Sequence, residues 1–440
     1  MKYKNGQTLW EKAKTLIPTG NQLLSKKAER FLPGLWPAYY EKAKGCEVWD
    51  ISGKHFQDFA QMGVGACVLG YANPEVDSAV IDAIHKGSMC TLNSYEEVEL
   101  AEKLLQLHPW ASMARFARTG GEACAIGIRI ARTFTEKYKV AFCGYHGWTD
   151  WYIAANLSDS SNLDGQLLPG LKPAGVPRSL KNTAIPFRFN KLNELEDIVK
   201  KNPDEIGVII MEPAREVEPD LNFIQGVRKI ADKIGAVLIF DEVTSGFRMN
   251  LGGIHLRYEI EPDMAIFAKA LGNGYPISAI IGKKDIMNSA ENTFISSTMW
   301  TERLGFVAAL KTIEIMERDS VYNRLIKIGN KINEGWKTIA EKNNLKIHIS
   351  GIPPLTHISF DCYDSNAAQT FYAQEMLDKG YLLGASVYAT MAYSDDIIEK
   401  FIQNSDEVFG KLSLAIHNKN IHQYLKGEVI QTGFKRLTGE

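Results

Sequence analysis

Apolar residues in the middle of this chain follow two rhythms. Unbroken runs rich in Val and Ile at 140–143, 206–211, 237–240 and 264–268 are strand-length. Between them, apolar positions recur every three or four residues over 122–135, 192–201 and 222–234, which predicts amphipathic helices. Near-continuous apolar strands alternating with helices predict an α/β domain whose sheet is mostly parallel and covered on both faces. Beyond about Trp300 the rhythm is chiefly helical, over 304–318, 321–343, 367–379 and 395–417, with strand-like pieces at 346–350 and 356–360. This region reads as an α+β unit following a long helix. The first sixty residues predict a helix at 9–16 and a small hairpin, 47–50 with 56–59, turning at Gly53. The stretch 424–440 reads as a polar surface tail.

Length and charge narrow the picture. A chain of 440 residues exceeds what one core usually serves, so at least two domains are expected. With 45% hydrophobic and 23% charged residues and a net charge of −2, neither a disordered chain nor a chain-wide basic footprint for nucleic acid fits. No apolar run approaches the roughly 20 residues of a membrane span. Nor does an apolar segment follow the basic Met1–Lys4 as it would in a signal peptide. Six cysteines are scattered without a CxxC pair, which suits reduced thiols in a cytoplasmic protein.

The chemistry gathers on the α/β half. Signatures for P-loops, dinucleotide folds, zincins and serine nucleophile elbows are absent, and the histidines show no paired ligand spacing. Asp241 ends an apolar strand in Phe-Asp-Glu-Val-Thr-Ser-Gly-Phe-Arg, where α/β sheets present residues to ligands. A turn-capping aspartate has the same placement. Lys269 lies 28 positions downstream, after another apolar strand and before a Gly-rich turn. Enclosed there, its amine loses solvation, its pKa falls, and it becomes a Schiff-base nucleophile; in the open it is a surface lysine. Gly120 and Gly121 open a helix and offer backbone N–H groups to a phosphate, though a plain glycine turn reads alike. Tyr145, in Tyr-His-Gly-Trp, follows a strand and is suited to stacking on a flat ring or to ordinary packing. An amine for an aldehyde, an anion for a ring nitrogen, a phosphate cradle and a ring face together describe a pyridoxal 5'-phosphate site.

These residues resemble class III (fold type I) pyridoxal-phosphate-dependent aminotransferases, and within them the glutamate-1-semialdehyde aminomutase-like branch. The matching stretches are 41–50, 70–75, 96–102, Thr-Gly-Gly-Glu-Ala at 119–123, Tyr-His-Gly at 145–147, Met-Glu-Pro at 211–213, 241–248, Lys269 with its turn, and 297–303. The resemblance spans roughly residues 5–415. It implies a cofactor domain over 63–305 and a smaller α+β domain built from 1–62 and 306–440. It also implies that Lys269 forms the Schiff base and shuttles a proton, and that Asp241 pairs with the ring nitrogen. Val243 and Tyr145 would cover the two ring faces, Gly120 and Gly121 would hold the phosphate, and Glu212 would stand beside the site. Thr298 would reach the phosphate of a neighbouring subunit, implying a homodimer. The partners implied are a small-molecule amino donor such as glutamate and an aldehyde or ketone acceptor, for example a sugar-like or other polar intermediate, in a cytoplasmic biosynthetic enzyme.

Departures from the family pattern bear on the substrate. Thr119-Gly120-Gly121 shifts the hydroxyl found in a Ser-Gly-Thr cradle. Residues 380–395 lack the arginine of typical ω-aminotransferases, and 385–390 lack the glutamate of the aminomutase. An intermolecular aminotransferase is therefore expected; the rivals are an intramolecular aminomutase and a non-catalytic scaffold that kept the fold. Lys26, Lys27, Arg30, Ser94 and Arg215 are further substrate-contact candidates, each equally readable as a surface or capping residue.

Overall fold

A computed structural model describes residues 5–433, Leu168 excepted. The chain divides into two compact units, Pro74–Tyr322 and the flanking segments up to Asn73 and from Asn323.

The Pro74–Tyr322 unit is built on seven strands. They are β1 (Met113–Ala117), β2 (Lys139–Cys143), β3 (Ala184–Pro186), β4 (Ile206–Met211), β5 (Val237–Asp241), β6 (Met264–Phe267) and β7 (Ser278–Gly282), in the spatial order β1-β7-β6-β5-β4-β2-β3. From β6 to β3 every neighbouring pair is parallel, whereas β7 runs antiparallel to both β6 and β1. All residues of β4, β5 and β6 are buried, which is what unbroken apolar runs require of a sheet covered on both sides. Helices α1 (Gly120–Thr135), α2 (Leu192–Lys201) and α3 (Leu221–Ile234) supply cover. Leu195 and Ile198 of α2 and Phe223, Ile224 and Val227 of α3 pack with Ile209 and Phe240 in one core, each such side chain contributing about 1.5–3 kcal/mol by leaving water. Gly127 lets α1 lie directly on the sheet: a Cβ there would stand 3.2 Å from Ile266 Cδ1.

The parallel register sets the position of the site. Asp241 pairs with Ile266, so the carboxyl ends of β5 and β6 are side by side, and Lys269 follows two residues after β6.

The other unit has a four-stranded sheet in which Tyr40–Lys44, Glu47–Asp50 and His55–Phe59 form a meander and Tyr381–Leu383 adds in parallel. A second sheet joins Ile347–Ser350, Leu355–Phe360 and Ser386–Tyr388. Segments distant in the chain are tied here: Tyr393 Oη donates to the Asp58 carbonyl and Thr390 Oγ1 to that of Val68.

The described part of the expected surface tail is not loose. Ile430 is buried and its N–H bonds Thr370 Oγ1 (3.0 Å), while the Lys426 N–H bonds Gln374 Oε1 (2.6 Å). An apolar residue in a polar stretch is what seats it on helix Ser365–Asp378; the rest of that expectation, 434–440, lies outside the described residues.

Candidate active site

Asp241 is 2% exposed, and each of its oxygens is held. Oδ1 accepts the Val243 N–H (3.0 Å); Oδ2 contacts His146 Nδ1 (2.7 Å) and accepts the Cys124 thiol (3.3 Å). His146 is fixed in turn by the Cys143 carbonyl at Nε2 (3.2 Å). Burial, and next the charge of Asp241, raise the Cys124 pKa well above its ordinary value, so this thiol stays protonated and serves as a donor.

Lys269 adopts φ +45°, a left-handed conformation that costs a non-glycine residue energy and is found where a site imposes it. Its Nζ donates to Thr244 Oγ1 (2.8 Å). Burial lowers its pKa to about 8, with Arg215 and Arg248 adding to the fall and Glu212 and Asp241 opposing it. Arg248 is fully buried and donates from Nε to the Thr244 carbonyl (2.6 Å), locking the turn that carries the lysine's partner.

The glycine pair occupies the first turn of α1, which starts two residues earlier than the periodicity indicates. Thr119 caps it reciprocally: its hydroxyl accepts the Glu122 N–H and its own N–H donates to Glu122 Oε2 (2.9 Å). The N–H groups of Gly120 and Gly121 come before any intrahelical acceptor, and among the described residues no hydrogen bond takes them. A Cβ on Gly120 would stand 2.8 Å from Val243 Cγ1, and one on Gly147 2.8 Å from the Gly121 Cα. The turn after β2 therefore meets the helix start at backbone distance and the turn after β5 meets it through the Val243 side chain, bringing Gly120, Gly121 and Val243 next to Asp241.

Glu212 follows β4, and its Oε2 accepts the Tyr145 N–H (2.9 Å). Gly144 is required there, at φ +109° with a Cβ position 2.6 Å from that same oxygen. The Tyr145 ring meets Tyr152 edge-on at 5.9 Å, and burial raises its hydroxyl pKa. Thr298 lies apart, exposed on the 3-10 turn Thr298–Thr301. Arg118, just before the cap, donates to the Met299 and Trp300 carbonyls (2.6 and 3.3 Å) and so fixes that turn to the start of α1.

The structure thus brings together Asp241, Val243, Lys269, Gly120, Gly121, Tyr145 and Glu212 within the Pro74–Tyr322 unit. Three residues beyond those expected complete the cluster. His146 and Thr244 stand beside Tyr145 and Val243 in the motifs themselves; Cys124 is four positions past Gly120, on the helix face turned to the sheet. Ser94 is engaged elsewhere, donating to Glu96 (2.6 Å), which pairs with Arg303. Lys26, Lys27 and Arg30 belong to the other unit, where Lys27 is 7% exposed and burial lowers its pKa.

An enclosed amine of lowered pKa, a buried carboxylate and bare helix N–H groups fit pyridoxal phosphate, and together they define the class of an enzyme that holds this cofactor covalently. The class-III aminotransferase family matches residues 33–401, and the chain belongs to it. It is 34% identical to the 3-aminobutyryl-CoA aminotransferase of Cloacimonas acidaminovorans (strain Evry), over 82% of this chain and 84% of that one. Its fold matches the pyridoxal-phosphate internal aldimine form of the FumI protein of Sphingopyxis sp. MTA144, with TM-score 0.84 and 24% identity over 94% of this chain and 98% of that one. It also matches a glutamate-1-semialdehyde aminomutase of Pseudomonas aeruginosa PAO1, with TM-score 0.79 and 19% identity over 92% and 94%. This chain is a pyridoxal-phosphate-dependent aminotransferase of fold type I.

Proposed function

We propose that the enzyme takes an amino group from glutamate or a similar amino acid, keeps it on the cofactor beside Lys269, and delivers it to an aldehyde or ketone. The observation that carries this reading is the pairing of β5 with β6, which sets the Asp241 carboxylate and the Lys269 amine at adjacent strand ends. Pyridoxal phosphate, when bound, supplies an aldehyde for the amino group and a ring that accepts the electron pair released at the substrate carbon. The chain supplies everything else. Lys269 carries the cofactor and moves the proton at the substrate carbon; with a pKa near 8 its amine gives and takes a proton near neutral pH. Asp241, held by His146, Cys124 and the Val243 N–H, presents its carboxylate to the ring nitrogen. Gly120 and Gly121 hold the phosphate at the positive end of α1, and Val243 and Tyr145 bound the two faces of the ring.

We assign Thr298 to the phosphate held by a second copy of the chain, so that the working enzyme is a homodimer. Its turn is exposed, and the adjoining Met299 and Phe294 are 58% and 88% exposed, apolar surface of the kind that marks an interface. The aminoacyl-CoA in the relative's name makes a β-amino thioester one donor class to test, and the matching β-keto thioester one acceptor class alongside sugar-like carbonyls. A cytoplasmic setting suits six free cysteines, and no helix among the described residues is long and apolar enough to cross a membrane. The test is Lys269→Ala in an assay of 2-oxoglutarate release from glutamate, where a loss of roughly a thousandfold is expected for removing the proton-transfer group. Retention of wild-type turnover would refute the assignment.

A further inference from the structure

Lys269 has two duties, to carry the cofactor and to move the proton at the substrate carbon, and the second needs its amine free and aimed. A lysine amine sits on a flexible alkyl stem and turns easily about its last bonds, so enclosure alone does not aim it. In this structure Nζ donates to Thr244 Oγ1 at 2.8 Å, and Thr244 is 5% exposed.

The turn that carries this hydroxyl is braced from several sides. The Thr244 carbonyl accepts Arg248 Nε (2.6 Å). Ser245 Oγ donates to Glu242 Oε2 (2.5 Å), and the Gly246 N–H to the Glu242 carbonyl (2.8 Å). Glu242 Oε1 lies against the N–H (3.0 Å) and Nδ1 (2.8 Å) of His255, whose Nε2 receives Trp110 Nε1 (3.0 Å). An indole only donates, so this last contact puts the imidazole hydrogen on Nδ1, where Glu242 accepts it. Glu242, Ser245, Arg248 and His255 are each at most 1% exposed. A group whose supporting neighbours are themselves locked by packing and hydrogen bonds holds a reacting atom far more closely than a loose one does. Such bracing is more than a turn needs merely to join two elements, and it ends on the one hydroxyl that meets the lysine.

We propose that Thr244 is the positioning residue of the proton step: its hydroxyl accepts one N–H of the free Lys269 amine and thereby fixes the direction of the nitrogen lone pair. In that step the substrate C–H bond breaks, its electrons stay with the substrate and cofactor, and the proton bonds to Nζ. Thr244 keeps its own proton and its hydrogen bond throughout, first from the amine and then from the ammonium. It acts through Lys269. This inference rests on the reading of Lys269 as the group that moves the proton.

The experiment compares wild type with Thr244→Val, which keeps the side chain's shape and removes the hydroxyl, and with Thr244→Ser, which restores it. Arg215, Arg248, Glu212 and Asp241, the charges that act on Lys269, are the same in all three. Two quantities are read: in the apoprotein, the pH midpoint for capture of pyridoxal phosphate by Lys269; in the loaded enzyme, the rate at which saturating L-glutamate exchanges its α-hydrogen with heavy water. A hydroxyl that accepts from the amine favours the ammonium over the neutral form, so Thr244→Val should lower the midpoint by roughly half to one pH unit. Loss of one aligning hydrogen bond should slow exchange by about 3–10-fold. Thr244→Ser is expected to recover both. An unmoved midpoint, an exchange rate that does not fall, or a Thr244→Ser as impaired as Thr244→Val overturns the proposal. Lys269→Ala exchanging at the wild-type rate would instead overturn the reading beneath it, and the apoprotein midpoints would still decide whether Thr244 holds the amine.

Discussion

Lys269 is where the energetics of single residues matter most. Burial disfavours its ammonium form more than Glu212 and Asp241 favour it, and the balance is a pKa of about 8. In the unfolded chain the same amine returns to its ordinary value of 10.5. The unfolded state therefore binds more protons between these values, so this group's contribution to apoprotein stability is full above the upper value and is lost as the pH falls through the lower one. The same balance governs reactivity, because only the neutral amine attacks an aldehyde. Covalent capture of pyridoxal phosphate by the apoprotein is expected to speed up through about pH 8 and then level off, as followed by stopped-flow absorbance. A rate still climbing towards the ordinary lysine range would show an amine that is not enclosed. Lys269 and Asp241 were legible in the sequence because each ends an apolar run. His146 and Cys124 were not, since they reach Asp241 from 95 and 117 positions away. Such contacts arise from which strands are neighbours, which local pattern does not encode.

At the scale of elements, the α1 start combines a structural and a functional demand. The Thr119–Glu122 box satisfies two backbone donors and leaves those of Gly120 and Gly121 pointing outward. Thr119→Ala is expected to cost about 1 kcal/mol of stability. It should also speed hydrogen exchange in the first turn of α1 and weaken phosphate-dependent cofactor binding; unchanged exchange there would mean the cap does not hold the cradle. Periodicity found the helices over 192–201 and 395–417 to the residue, because amphipathic spacing and burial agree there. It missed β7, β1 and the three-residue β3. β7, placed antiparallel between β6 and β1, has only Ala279–Ile281 apolar between Ser278 and Gly282, and β1 carries Arg115 at its centre, so neither has the unbroken apolar run of β4 and β5.

For the whole molecule, sequence order and spatial order diverge. The segments up to Asn73 and from Asn323 close into one unit around bonds such as Tyr393 to Asp58, a joining that the family resemblance implied, for 1–62 and 306–440, and that local pattern alone does not encode. A homodimer with shared sites makes a quantitative prediction. Lys269→Ala has a dead site but a sound Thr298, and Thr298→Asp the reverse. Mixed and allowed to exchange subunits, two inactive variants should recover roughly a quarter of wild-type activity, since half of randomly paired dimers then hold one intact site of two. Absence of recovery, with mixed dimers verified by native mass spectrometry, would place Thr298 outside the partner's site.

The most direct test of the central claim is peptide mass spectrometry of the loaded enzyme after borohydride reduction, with and without prior exposure to amino donors including L-glutamate and L-alanine. Without donor, the cofactor's mass is expected on the peptide containing Lys269; with donor and no acceptor, it should vanish from that peptide as the amino group is taken up. Attachment to any other lysine, or a Lys269 adduct that persists through the donor panel, would contradict the account.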